Sequence, residues 1–141
     1  TATASAAETS GTANDDGTIC NGASALLTVT PAGGTGSYSV TWYAVGNPTA
    51  LGTGTELGVS PTATTTYQAV VTDANGCAYT AQVVITVTDR PTASITNTEP
   101  LTVCPGPTTA TVSGTVTATG AWTLTLSDGS QATGTGSGSF S

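Results

Sequence analysis

Two runs of strict alternation constrain this chain more than any other feature. Thr66–Thr72 sets Tyr67, Ala69 and Val71 on one face, and Ala78–Thr88 sets Tyr79, Ala81, Val83, Ile85 and Val87 on one face. Apolar residues in phase at a period of two mark a half-buried strand, because successive Cβ atoms point to opposite sides of the pleat. Between the runs lies Asp73-Ala74-Asn75-Gly76, whose Asn-Gly pair suits the left-handed backbone of a tight turn. A β-hairpin is expected here, and the rest of the fold must supply a surface for its apolar face.

The preceding segments have the same character. Ser24–Thr30 is strand-like, Pro31–Gly36 is a turn, and Ser37–Val45 alternates Tyr38, Val40 and Trp42 against Ser39, Thr41 and Tyr43. After Gly46-Asn47-Pro48 come short strands near Ala50–Thr53 and Thr55–Ser60, closed by Pro61. No stripe at helical spacing lasts long enough to argue a helix. Composition agrees: 34 Thr and 13 Ser make a third of the chain, and a β-branched residue is stiff at χ1 and favours the pleat. Leu, Ile, Val and Phe total only 23, yet charged residues are 6%, so the high charge that accompanies disorder is missing. About seven short strands between turns predict an all-β, antiparallel sandwich. Trp42, Tyr67, Val83 and Ile85 are its expected core, with Tyr38 beside Trp42. Tyr67 is also placed as a corner tyrosine whose hydroxyl bonds nearby backbone.

The same composition removes most chemistry. There is no histidine or lysine, and the one basic residue is Arg90. A Ser-His or Cys-His nucleophile pair, a Schiff base and a phosphate-binding lysine are all excluded. A net charge of −7 repels phosphate backbones and anionic lipid, so no nucleic-acid partner is expected. No apolar run reaches 18 residues, so membrane insertion is not expected either. The start TATASAAETS has neither the basic residues nor the apolar core of a signal peptide and reads as a mature or processed end. Asp15 and Asp16 beside Asn14 are weak calcium candidates, outweighed by a solvated Asn-Asp-Asp-Gly turn. The acids are scattered, with no facing pair of the kind a glycosidase needs. No enzyme activity and no cofactor are expected.

The chain also repeats itself. Thr102-Val103-Cys104-Pro105-Gly106 restates Thr18-Ile19-Cys20-Asn21-Gly22, and Ala121-Trp122-Thr123-Leu124 restates the strand around Trp42. Trp122 is thus the expected core residue of a second copy. Three segments follow: a small, polar N-terminal arm over 1–17, either a weak strand or flexible, with Ala2, Ala4 and Ala6 in phase, a full module over 18–90, and a partial module over 91–141 holding three or four strands.

Residues 18–87 carry "IC.G.S..LT", a "WY" strand, "GTG...L.VSP.ATTTY" and "DANGC". In their order and spacing they resemble the tandem Ig-like modules of large secreted and surface proteins of gliding bacteria, and residues 91–141 resemble the opening half of a second one. The resemblance implies an Ig-like β-sandwich in an extracellular or cell-surface spacer, adhesin or fibre. It would join Cys20 to Cys77 and leave Cys104 unpaired or intermolecular; a bridge between neighbouring modules or chains is the alternative. Cysteines beside turns, without CxxC pairs or histidines, suit a disulfide in an oxidising compartment better than zinc. A half-sandwich leaves an unpaired edge, so self-association is expected, with the arm carrying Ala2, Ala4 and Ala6 as candidate donor strand and a head-to-tail filament as the product. The rival is a carbohydrate-binding or adhesin module in which Tyr43, opposite the core face, contacts a glycan.

Overall fold

The computed structural model describes residues 1–10, 15–96 and 111–141. The chain divides into two compact units, Thr1–Thr88 and Asp89–Ser141.

In the first unit, strands β1 (Ala2–Glu8), β3 (Ala25–Pro31) and β6 (Glu56–Val59) form one sheet in the order β1-β3-β6. The second sheet, in the order β2-β8-β7-β4-β5, takes β2 (Thr18–Cys20), β4 (Ser39–Ala44), β5 (Gly52–Thr53), β7 (Thr65–Thr72) and β8 (Ala78–Thr88). All pairings are antiparallel except β2 with β8. The N-terminal stretch therefore edges both sheets, crossing between them after Glu8.

The alternation decides which side chains meet between the sheets. Ala25, Leu27 and Val29 from β3 face Val40 and Trp42 from β4, Tyr67, Ala69 and Val71 from β7, and Ala81 and Ile85 from β8; Trp42, Leu27 and Ile85 are wholly inaccessible. Val83 packs on this core while half-buried. The Trp42 indole donates its Nε1–H to the Gly54 carbonyl at 2.9 Å, which satisfies the one polar group of an otherwise apolar side chain. Tyr67 is buried, and burial raises its hydroxyl pKa while a bond to the Thr65 side chain lowers it. That partner is a side chain, not the backbone partner expected of a corner tyrosine.

Three expectations change. Tyr38 is 40% exposed: it precedes the first residue of β4, and its hydroxyl donates to the Gly33 carbonyl outside the core. Residues 2–8 are no separate arm. β1 is in register with β3 from Ala2 opposite Pro31 to Glu8 opposite Ala25, and Ala2, Ala4 and Ala6 pack on the core. These alanines thus complete their own module and are not free for donation.

The second unit holds five strands among its described residues, more than the three or four expected. β9 (Thr92–Ile95), β10 (Gly114–Thr117) and β13 (Gly138–Phe140) form a sheet in the order β13-β10-β9, and β11 (Ala121–Thr125) pairs with β12 (Gln131–Thr135). Trp122, expected as core, is only half-buried. Among the described residues β11 has a pairing partner on one side alone, so nothing covers the indole as β7 and β8 cover Trp42.

Candidate functional site at the Asp73 pole

Antiparallel pairing of β4 with β7, Ser39 opposite Thr72, brings the β3–β4 loop and the β7–β8 turn to one end of the first sandwich. Asp73 joins them. Its Oδ1 accepts the amides of Asn75 and Cys77, both at 2.9 Å, and Oδ2 accepts the Thr35 amide at 3.2 Å. The Ala74 amide in turn donates to the Thr35 carbonyl. These bonds, led by the one from Cys77, hold the Asp73 carboxyl below its ordinary value of 3.8 against a smaller opposing effect of desolvation. The approach is close enough to require glycine. A Cβ at Gly34 (φ +87°) would lie 2.9 Å from Asp73 Oδ2, and one at Gly36 (φ +77°) 2.8 Å from Ala74 Cβ.

On this frame lies a shallow groove of about 290 Å³ lined by Gly33, Tyr38, Asp73, Cys77 and Tyr79 among others. Tyr38 and Tyr79 are 40% and 49% exposed. Tyr43, the expected ligand contact, is half-buried within β4 and does not line this groove. The alternation put Tyr38 in phase with the core, which left Tyr43 preferred over Tyr38 and Tyr79 as the sugar contact. The signal that could have found the groove was proximity to turns: Tyr38 follows the Pro31–Gly36 turn, and Tyr79 lies three residues beyond Gly76.

The other predicted site residues are dispersed. Cys77 is at the Asp73 pole, while Cys20 is opposite Thr88 at the far end of β8. Eleven residues of β8 separate them by about 35 Å at roughly 3.3 Å per residue, so the bridge between them does not form. Both are free and exposed; Cys104 lies outside the described residues. Asp15 and Asp16 serve the backbone. Asp15 Oδ1 accepts the Glu8 amide at 3.3 Å and Asp16 Oδ1 accepts the Thr18 amide at 2.7 Å. Asn14 is outside the described residues, and among those described no three acidic or cysteine side chains gather as a metal site would require.

The family model for "Ig-like domain CHU_C associated" matches residues 7–91, more than half of the chain. The chain belongs to this Ig-like family. The match begins inside β1, consistent with that strand's being part of the sandwich. No curated protein matches the chain. CHU_C-associated Ig-like domains are typical of bacterial surface and secreted proteins, and the family is generally non-catalytic.

A further residue escaped the sequence reading. Glu8, 7% exposed, accepts the Asp15 amide on Oε2 at 3.3 Å and the Gly17 amide on Oε1 at 3.1 Å. It anchors the crossover that carries the chain from one sheet to the other. Its signal was present, since Glu8 continues the Ala2, Ala4, Ala6 phase and an acid on a buried face needs donors.

Proposed function

We propose that this chain is a non-catalytic structural module of a bacterial cell-surface fibre, in which such modules are strung head to tail, in part by strand complementation. The observation that carries the reading is the polarity of the first unit. β1 begins at the Asp73 pole, where Thr1 bonds the Ala32 carbonyl, and β8 ends at the Cys20 pole. A sandwich with its strand ends at opposite poles extends a series of modules lengthwise, and a heterologous contact of this kind does not close. One exposed cysteine at each pole would give every junction one thiol of each kind, the bridge between neighbours that the sequence left open. The testing experiment is negative-stain electron microscopy of native material, with reducing and non-reducing gels of the same sample. Regular fibres that survive dilution are expected, with disulfide ladders if the junction is bridged; monodisperse small particles alone would refute the reading.

A second reading, a glycan-binding adhesin spacer, is favoured by the groove between Tyr38 and Tyr79. Exposed aromatic faces beside backbone carbonyls suit stacking on a sugar ring. Saturable glycan binding that Tyr79→Ala abolishes would support it; binding unchanged in that variant would remove the groove from consideration.

A further inference from the structure

On one flank of the first sandwich β1 and β8 lie against each other, and each is open along its outer edge. β8 pairs with β7 from Ala78 to Ile85 without a bulge, but β2, three residues long, takes its other edge only at Thr86–Thr88. Backbone groups along a strand turn alternately to either side. The Cys77 carbonyl accepts the Asp73 amide on the β7 side, and the Thr86 amide donates to the Gly17 carbonyl on the β2 side. The N–H and C=O groups of Ala78, Thr80 and Gln82 therefore point away from β7, where no strand pairs with them among the described residues. β1 is the counterpart in the other sheet. The Thr1 carbonyl accepts the Ala32 amide and the Thr9 amide donates to the Ser24 carbonyl, both on the β3 side, which turns the backbone groups of Ala2, Ala4 and Ala6 outward. Gly17 fixes the level of one edge against the other. Its amide donates to the Glu8 carboxylate, and a Cβ on it would lie 3.3 Å from the Val84 carbonyl oxygen. Glu8 and Val84 are thus about level, and four residues back along both strands so are Ala4 and Thr80.

We propose that this flank is a twofold interface between two copies of the chain, β8 against β8 and β1 against β1, both antiparallel, with Thr80 and Ala4 at the axis. Edge strands are ordinarily kept apart by a charge, a proline or a bulge, and Ala78–Val84 and Ala2–Ala7 have none of these. Residues 74–88 hold no charged side chain in a chain of net charge −7, so two copies repel each other least along β8. The register about Thr80 sets Ala78 opposite the partner's Gln82 and Thr80 opposite the partner's Thr80. Every outward N–H and C=O of the three residues then meets one of the opposite kind, and threonine opposite threonine is a favourable cross-strand pair. On the inner face Tyr79, 49% exposed, comes opposite the partner's Ala81, whose small side chain leaves room for the ring. The common level of Ala4 and Thr80 points to a second copy over a foreign strand. One axis perpendicular to the sheets pairs both edges at once and closes the contact, whereas a single added strand would cover one edge and leave the other. The interface runs along the flank and not through the poles, so it goes beyond the head-to-tail reading and joins modules side by side.

The test uses the full chain with reductant throughout, which removes disulfide linkage between copies. Sedimentation equilibrium should show a reversible dimer. Thr80→Lys should raise its dissociation constant about tenfold or more, because like charges then face each other at the axis, and Thr80→Glu should do the same. Thr80 is exposed, so urea unfolding of the first unit should not change, and an equimolar mixture of the two variants should associate again. Residue-resolved amide exchange should slow on dimerisation at Ala78, Thr80 and Gln82 and stay unchanged at Tyr79 and Ala81, whose amides already bond β7. A chain that remains monomeric, or association that both charge variants leave unaltered, would overturn the proposal. Protection of those three amides only by an added extended peptide would assign the edge to a foreign strand and overturn it equally. Filaments of native material that lie paired, and that Thr80→Lys leaves single, would support the flank interface and leave the head-to-tail reading standing on its own.

Discussion

The two matched tryptophans allow one substitution to be compared in two settings. Trp42→Phe removes the bond to Gly54, a net loss of about 1–1.5 kcal/mol. It also removes roughly 40 Å² of buried ring, worth about 1 kcal/mol at about 25 cal/mol per Å². The sum, about 2–2.5 kcal/mol, is an increase of roughly 30- to 70-fold in the opening equilibrium of the first unit. The first unit, Thr1–Thr88, should have a stability of about 4–13 kcal/mol at the usual value per residue, so the variant should still fold. Trp122→Phe removes an equivalent bond to Gly136, but its ring is half-buried and water can replace much of what is lost. Its cost should stay under about 1 kcal/mol. Native-state hydrogen exchange in low urea measures each effect where it occurs, in peptides spanning β4 and β7 for one variant and β11 and β12 for the other. Equal losses at the two sites would refute the argument that β7 and β8 are what make Trp42 matter. They would mean that the indole bond alone sets the cost.

The crossover offers a sharper polar test: Glu8→Ala strips the Asp15 and Gly17 amides of their acceptor and should cost about 1–3 kcal/mol in urea unfolding. Glu8→Gln, which keeps one oxygen in place, should recover most of that loss; equal loss in both would show that shape, not the bonds, is decisive. Asp73 gives a pH dependence. Its folded value is held below 3.8, so the tie between the β7–β8 turn and the β3–β4 loop is present above the unfolded value and is lost as pH falls through the lower, folded one. Amide shifts of Asn75 and Cys77 should stay flat from neutral pH down to about 4 and move only below it, and movement well above that value would contradict the assignment. Cys20→Ser should leave the unfolding of the first unit unchanged with or without reductant, because an internal bridge would be worth about 2–4 kcal/mol.

The parts of the fold most legible in the sequence were those carried by period-two alternation. Tyr67, Ala69 and Val71 on β7, and Ala81 and Ile85 on β8, are buried as their phase required. Parity alone sets the face of a residue within a strand. It says nothing about where the strand begins, and Tyr38, in phase with Trp42, lies outside β4 and therefore outside the core. The place of the N-terminal strand within its own module was missed for a related reason. Alanines in phase carry a weak strand signal, and only the presence of β3 alongside makes their small faces worth burying.

The candidate site was the least legible part. Its groove joins residues from two loops about forty positions apart, and their meeting depends on β4 pairing with β7. The cysteines follow the same logic, since the family resemblance would join Cys20 to Cys77 while the length of β8 sets them at opposite poles. By itself the sequence determined the all-β class, the hairpin, most of the core and the absence of histidine and lysine chemistry. These depend on local stereochemistry and on which reagents are present. The tertiary structure decided which ends share a pole, that β1 closes its own sandwich, and that the tryptophan of β4 is sealed between strands on both sides. Those outcomes depend on strand neighbours distant in sequence, and a strand's own residues do not encode which neighbour it will have.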